Sequence, residues 1–201
     1  MALGRGLAAT TAEPAQTGVW IGVATISMSF AAFTSALVVR QSGATDWQHF
    51  QLPPLLYVNT LILLASSGTL EWSRRSIART LQQATPGVPR ALLLPSQAVS
   101  GLYVTLALGL MFLSGQVLAW RGLARQGLFL STSPNSSFFY VFTALHGLHV
   151  LGGIAGLSYV LHRLTRAGGP VPTGSLGAAA LYWHFMDALW LYLLLILTTR
   201  V

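Results

Sequence analysis

Four ionisable side chains lie within apolar stretches of this sequence, at spacings that could bring them together. His146 and His149 are three residues apart in "FFYVFTALHGLHVLGG", and His184 and Asp187 are three apart in "YWHFMDALW". Because residues i and i+3 share one face of a helix, each pair should project to one side. Three imidazoles and a carboxylate would suit zinc, iron or manganese. The same groups could instead carry protons or hold helices together.

The spacing alone leaves these three interpretations open. A four-helix di-iron site uses Glu-x-x-His on two helices together with further carboxylates, whereas Asp187 is the one acid embedded in an apolar stretch here. The sequence has no cysteine, which excludes a thiolate metal site or nucleophile. A proton relay would lack an embedded acid in the first three apolar stretches. We favour a structural interpretation, in which these side chains hydrogen-bond one another and nearby backbone.

The composition indicates that the protein lies in a lipid membrane. Charged residues make up 7% of the 201 residues and the mean hydropathy is +0.62, whereas soluble domains carry about 25% charged residues. The net charge of +7 comes from eleven arginines that lie between the apolar stretches. That placement is typical of membrane-flanking charge, so we expect no nucleic-acid partner. The polar start "MALGRGLAATTAEPAQTG" does not fit a signal peptide, so the first span should act as its own insertion signal.

Five apolar stretches are long enough to cross a membrane, which takes roughly 20 residues. The sequence therefore predicts an all-α integral membrane protein with a bundle of five transmembrane helices. Pro53 and Pro54 fit the first turn of the second helix, and "STSPNSS" offers N-caps for the fourth. A polar N-terminal segment, 1–17, should precede a membrane domain, 18–201, with helices near 18–39, 53–71, 97–120, 136–162 and 176–199.

The distribution of arginines predicts the orientation. Cytoplasmic loops carry an excess of positive charge. With the N-terminus inside, seven arginines lie inside: Arg5, Arg74, Arg75, Arg79, Arg90, Arg163 and Arg166. The remaining four lie outside: Arg40, Arg121, Arg125 and Arg200. This excess predicts an inner N-terminus and an outer C-terminus.

Four motifs, one on each of the last four predicted helices, resemble a known family when they are taken together. They are "LPPLLYVNTLILLASSGTLE", "GLMFLSGQVLAW", "FFYVFTALHGLHVLGG" and "LYWHFMDALWLYLLLIL". The chain resembles the cytochrome c oxidase subunit III family, the non-redox third core subunit of haem–copper oxidases. The most specific part is HGLHV followed by YWHF-x-D-x-x-W, and the resemblance covers about residues 18–199. Five predicted helices fit the short bacterial form of the family.

The resemblance implies a structural, lipid-binding subunit without a catalytic centre or a metal of its own. Haem and copper are expected in partner subunits, chiefly in catalytic subunit I. The resemblance places the complex in a bacterial plasma (inner) membrane, where a respiratory supercomplex is a further expected partner. Arg163 matches a lipid head-group anchor of the family, and Arg74 and Arg75 lie on the same predicted side. The structural polar core should contain His146, His149, His184, Asp187 and Asn59.

The sequence departs from the family pattern at two positions. Ile26 and Ala119 stand where the family often has glutamate, which puts any role in proton uptake in doubt.

Subunit III of a quinol oxidase, or an accessory subunit of nitric oxide reductase, is an alternative, although Asn59, Thr60 and Gln116 look more like the cytochrome c type. An independent membrane enzyme with a histidine-cluster metal site is a third possibility. A transporter is disfavoured because the sequence shows no repeat or broken helix.

The face of the fifth helix that carries His184 and Asp187 should turn into the bundle. An unsatisfied polar group facing lipid costs several kcal/mol. We therefore expect this face to lie toward the third and fourth helices.

Overall fold

The computed structural model describes residues 14–43, 52–83, 94–166 and 173–200, and these form five α-helices. They are α1 (Pro14–Ser42), α2 (Leu55–Gln82), α3 (Ser96–Arg125), α4 (Pro134–Thr165) and α5 (Thr173–Arg200). The predicted all-α architecture of five helices is confirmed. Most helices extend beyond the predicted segments, because the polar residues that flank the apolar stretches continue the same helical turns.

Four helices of the described part of the chain are long and apolar enough to cross a membrane. These are α1, α3, α4 and α5. The helix α2 is less apolar, because it carries a row of hydroxyl side chains together with Glu71 and three arginines. The prediction that residues 53–71 of α2 also span the membrane therefore stays a prediction.

Two helix starts show how the sequence sets the boundaries. The helix α2 begins at Leu55 with Pro54 as its N-cap, so both prolines lie just before the helix and not in its first turn as expected. The predicted N-cap of α4 is confirmed at Ser133, whose side chain accepts a hydrogen bond from the Ser136 backbone N–H over 3.2 Å. The Ser136 hydroxyl accepts one from the Ser133 N–H in return, which forms a capping box.

Two clusters of buried apolar side chains show that successive helices run in alternating directions. One cluster joins the C-terminal halves of α3 and α5 to α1 and to the N-terminal halves of α2 and α4. The other cluster joins the C-terminal halves of α2 and α4 to the N-terminal halves of α3 and α5. The described arginines divide between the two ends: Arg74, Arg75, Arg79, Arg163 and Arg166 lie at the second cluster, and Arg40, Arg121, Arg125 and Arg200 at the first.

The α2–α3 interface is the most extensive in the bundle, and α5 also packs on α2, as well as on α1 and α4. Glycines on α3 allow the close approach. A Cβ atom at Gly115 would overlap the Asn59 side chain, and one at Gly101 would overlap the Ser73 hydroxyl. Helices in lipid associate mainly through such close packing and through hydrogen bonds between helices. The interior of this bundle is consequently the place to look for functional side chains.

Candidate functional site

Asn59 lies in the interior between α2 and α3. Its side chain is buried, and the Nδ2 group donates a hydrogen bond to the Phe112 carbonyl over 3.2 Å. The amide rests on the space that Gly115 leaves free. A buried amide that bonds to the backbone of a neighbouring helix fixes the register of the two helices, which is the geometry expected of a structural polar group.

His146 is completely buried on α4, but its immediate neighbours are aromatic. Its ring centroid lies 5.1 Å from that of Trp190 on α5 and 5.8 Å from that of Phe112 on α3. Neither ring nitrogen has a hydrogen-bond partner among the described residues. The imidazole is therefore held by ring packing, and the polar contacts expected from the sequence are not found at this position in the described part of the chain.

His149 contacts other neighbours than His146 does, although the two lie one turn apart. The Nδ1 atom is 2.6 Å from the Leu145 carbonyl of the same helix, and the ring packs edge-on against Phe30 of α1 with centroids 5.9 Å apart. The Tyr182 hydroxyl donates to the His149 carbonyl over 3.1 Å and ties α5 to this turn. His149 is thus engaged with its own helix and α1, while His146 faces α3 and α5.

His184 and Asp187 turn into the bundle, but they face α2, and not α3 and α4 as expected. His184 Nδ1 lies 2.5 Å from the Ser67 hydroxyl, and its Nε2 lies 3.6 Å from Glu71 Oε2. Asp187 is buried, with the Ser67 hydroxyl beside its carboxylate. The expected direction was wrong because α2 packs on α5 and presents its hydroxyl-rich face there.

The four ionisable residues therefore do not converge on one point. His146 faces α3 and α5, His149 faces α1, and the remaining two face α2. Within the described ranges, no group of three or more histidine, cysteine, aspartate or glutamate side chains is placed to hold a metal ion. The prediction that the chain binds no metal or haem of its own stays a prediction.

Arg74 and Arg75, two of the three arginines expected at a lipid head group, both bind Glu71. Arg74 forms a bidentate pair with bonds of 2.9 and 3.0 Å, and Arg75 Nε donates to Glu71 Oε1 over 2.6 Å. The hydrogen bond to Glu71 raises the pKa of Arg74 above its usual value. Two positive charges and one negative charge leave a single net positive charge at this group.

Arg163 lies in the last turn of α4, exposed, at the same end of the bundle as Arg74 and Arg75. No carboxylate among the described residues forms an ion pair with it. Of the three arginines, Arg163 thus has its full charge available to an anionic group.

Two tryptophans of the YWHF-x-D-x-x-W motif on α5 were assigned no role from the sequence, yet both donate hydrogen bonds in the interior of the bundle. The Trp183 indole donates to the Ser66 hydroxyl over 3.0 Å, and the Trp190 indole donates to the Thr60 hydroxyl over 2.9 Å. Both rings are almost fully buried. The available signal was a pair of tryptophans seven residues apart within one apolar helix, since a buried indole N–H needs an acceptor.

Comparison with known proteins identifies the family. The family model for cytochrome c oxidase subunit III matches residues 23–199, which include α2 to α5 and most of α1. The chain belongs to the cytochrome c oxidase subunit III family. The resemblance drawn from the four motifs is therefore confirmed, and the membrane-embedded, all-helical character of the subunit III family agrees with the fold.

Individual relatives show how much of the subunit III length this chain covers. Cytochrome c oxidase subunit 3 of Gallus gallus is 35% identical over 171 residues, which are 82% of this chain and 59% of the relative. The Synechocystis protein of the same name is 39% identical over 95 residues, 46% of this chain and 40% of the relative. A probable cytochrome c oxidase subunit 3 of Nocardia farcinica is 36% identical over 91 residues, 44% of each. The chain spans about half the length of the curated relatives it matches.

Proposed function

We propose that this chain is a non-redox, structural subunit III of a haem–copper terminal oxidase of the cytochrome c type. The observation that carries the proposal is the family match over residues 23–199. The chain would pack against catalytic subunit I and other oxidase subunits, which would hold the haem and copper, in a bacterial plasma membrane. It would stabilise the catalytic subunit and cover part of its lipid-facing side.

The interior of the bundle supports a structural role. Its central contacts are hydrogen bonds between helices, donated by side chains that carry no charge: Asn59 to Phe112, Trp183 to Ser66, and Trp190 to Thr60. Such contacts set helix register, although each contributes only about 0.6 kcal/mol on average in membranes. Their combined effect is a defined surface that a partner subunit can recognise.

We also propose that the chain holds phospholipid at the end of the bundle where α4 finishes. Arg163 is exposed there, and a guanidinium forms strong charge-assisted bonds with phosphate. Arg74 and Arg75 add one net positive charge to the same end after their pairing with Glu71. With the N-terminus inside, this end would face the inner leaflet, whose surface is often anionic.

The test is affinity purification of the tagged chain from its own membranes in a mild detergent. We expect a catalytic subunit with a haem absorption spectrum to be retained, and oxygen consumption to be supported by reduced cytochrome c. Oxygen consumption from quinol alone would favour a quinol oxidase. Recovery of the chain alone, with stoichiometric metal that is lost in His146→Ala, would overturn the proposal in favour of an independent membrane enzyme.

A further inference from the structure

A groove runs along the outer surface of the bundle where α3 and α4 meet. Its deeper part has a volume of about 430 Å³ and is lined mainly by apolar side chains such as Leu110 and Leu148. A second part of about 300 Å³ lies closer to the end of α3. Val117 and Trp120 line both parts. The two parts therefore adjoin, and together they form one channel, the α3–α4 groove.

The mouth of the α3–α4 groove, at the end of α3, has aromatic walls that are fixed by hydrogen bonds. The Trp120 indole donates to the Thr143 hydroxyl over 3.0 Å, and the Tyr140 hydroxyl donates to the Leu128 carbonyl over 2.8 Å. The two aromatic rings lie 6.2 Å apart between centroids. Tryptophan and tyrosine are enriched where a membrane meets water. We therefore place the mouth at the level of the lipid head groups.

Arg121 lines this mouth and supplies a positive charge. Among the described residues, the ion pairs with a carboxylate all involve Glu71, which lies on α2, and none includes Arg121. A guanidinium forms bidentate, charge-assisted hydrogen bonds with a phosphate group. A cation at the mouth and an apolar channel below it complement a phospholipid, which has a phosphate above an acyl chain.

The length of the α3–α4 groove fits one leaflet of a membrane. Leu110, at its deep end, and Arg121, at its mouth, are eleven positions apart on α3. At a rise of about 1.5 Å per residue they are separated by about 16 Å along the helix. The hydrocarbon core of a bilayer is about 30 Å thick, so one leaflet contributes about half of that. The groove can therefore hold one acyl chain along the depth of a single leaflet.

Gln116 supplies a second polar group in the wall of the α3–α4 groove. Its side chain is 2% exposed, and neither Nε2 nor Oε1 has a hydrogen-bond partner among the described residues. It lies five positions before Arg121, which is about 7.5 Å deeper along the helix. The ester carbonyls of a phospholipid lie just below its phosphate. The terminal torsion of glutamine is soft, so the amide can turn its N–H toward such a carbonyl.

We propose that the α3–α4 groove binds one anionic phospholipid, such as phosphatidylglycerol. Arg121 holds the phosphate, Gln116 donates to an ester carbonyl, and one acyl chain lies between α3 and α4. This site is distinct from the one proposed at Arg163, because the two arginines lie at opposite ends of the bundle and so in different leaflets. The inference does not depend on the proposed oxidase function, since it requires only this chain and a bilayer.

Photolabelling of the purified protein, with any partner subunits that it retains, tests the site. The probe is phosphatidylglycerol with a diazirine in the middle of one acyl chain, carried in nanodiscs of phosphatidylcholine. After irradiation, mass spectrometry of peptides identifies the labelled residues. We expect labels within 110–117 and 144–151. Unlabelled phosphatidylglycerol should compete with the probe at these positions better than diacylglycerol, which has no phosphate.

Three variants should reduce this labelling. Arg121→Ala should lower it about tenfold, because a hydrogen bond to a charged group is lost. Gln116→Met, of similar shape, should lower it about threefold. Gly147→Leu should abolish it, because Gly147 lines the groove and a Cβ there would meet only the Leu113 side chain, at 3.6 Å. Gly122→Leu is the matched control, since a Cβ there meets nothing within 4 Å and the residue is outside the groove.

Three results would overturn the proposal. Labels spread evenly over all helices, and unchanged in Arg121→Ala and Gly147→Leu, would mean that only unspecific boundary lipid surrounds the chain. Labels missing from 110–117 and 144–151 in the wild type would mean that a partner helix covers the groove. Equal losses in Gly147→Leu and Gly122→Leu would indicate a general disturbance of packing. Gel filtration establishes that each variant is folded, and should Gly147→Leu not fold, Arg121→Ala decides.

Discussion

The indole nitrogen of Trp190 on α5 donates a hydrogen bond to the Thr60 hydroxyl on α2 over 2.9 Å. The Trp190 ring is fully buried, with Phe112 and His146 packed against it at centroid distances of 5.0 and 5.1 Å. One side chain thus brings α2, α3, α4 and α5 together through a hydrogen bond and two ring contacts.

Trp190→Phe should lower the free energy of unfolding of the bundle by about 1–3 kcal/mol. The ring contacts are partly kept, but the Thr60 hydroxyl loses its donor and a smaller ring leaves a space. Unfolding of the detergent-solubilised chain, followed by tryptophan fluorescence, measures the change. Trp20→Phe is the control, because Trp20 is exposed on α1 and should have almost no effect. Equal losses of unfolding free energy in the two variants would show that the buried contacts of Trp190 do not stabilise the bundle.

Gly115→Ala should weaken the α2–α3 interface more than the same change elsewhere on α3. A Cβ atom at Gly115 would overlap the Asn59 side chain, whereas one at Gly122 would meet nothing within 4 Å. Overpacking of this kind typically costs about 1–3 kcal/mol. We expect Gly115→Ala to unfold at lower denaturant than the wild type, and Gly122→Ala to unfold like it. Similar behaviour of the two variants would show that the close approach at Asn59 is not required.

Asp187 should matter for assembly through its shape and its polarity beside the Ser67 hydroxyl. Asp187→Asn keeps both and should assemble with the catalytic subunit almost normally. Asp187→Leu leaves the Ser67 hydroxyl beside an apolar group and should reduce the yield of intact complex, because α2 and α5 lose a polar contact. The readout is oxygen consumption divided by the amount of intact complex, which should stay constant. An Asp187→Asn complex that assembles fully but cannot turn over would contradict the structural proposal.

Arg163→Ala should release bound anionic phospholipid, as measured by native mass spectrometry of the purified complex. Arg163 is exposed at the end of α4, and Arg125 is an exposed arginine at the opposite end of the bundle. Arg125→Ala serves as the matched control and should retain lipid at that site. Arg74→Ala should have a smaller effect than Arg163→Ala, since Arg74 already binds Glu71. Lipid retention that is the same in all three variants would remove the basis for a head-group site at Arg163.

Some side-chain contacts were within reach of the sequence but were missed. Glu71, Arg74 and Arg75 have the i, i+3 and i, i+4 spacing of helical ion pairs, and the structure forms both pairs. The prediction ended the second helix at residue 71, so the arginines were assigned to a loop and to lipid. The helix continues to Gln82, because the residues after Glu71 can form a helix although they are too polar to belong to the apolar stretch.

The sequence by itself determined the family, the five helices and the cap of α4. These depend on apolar length and on contacts between residues close in the chain, such as Ser133 with Ser136. Only the tertiary structure decided which helix each buried polar group meets. His184 and Asp187 face α2, and His146 and His149 contact different helices, although helical spacing places each pair on one side. Spacing fixes a face relative to its own helix axis, whereas the rotation of that helix is set by packing against distant residues such as Thr60, Ser66 and Gly115.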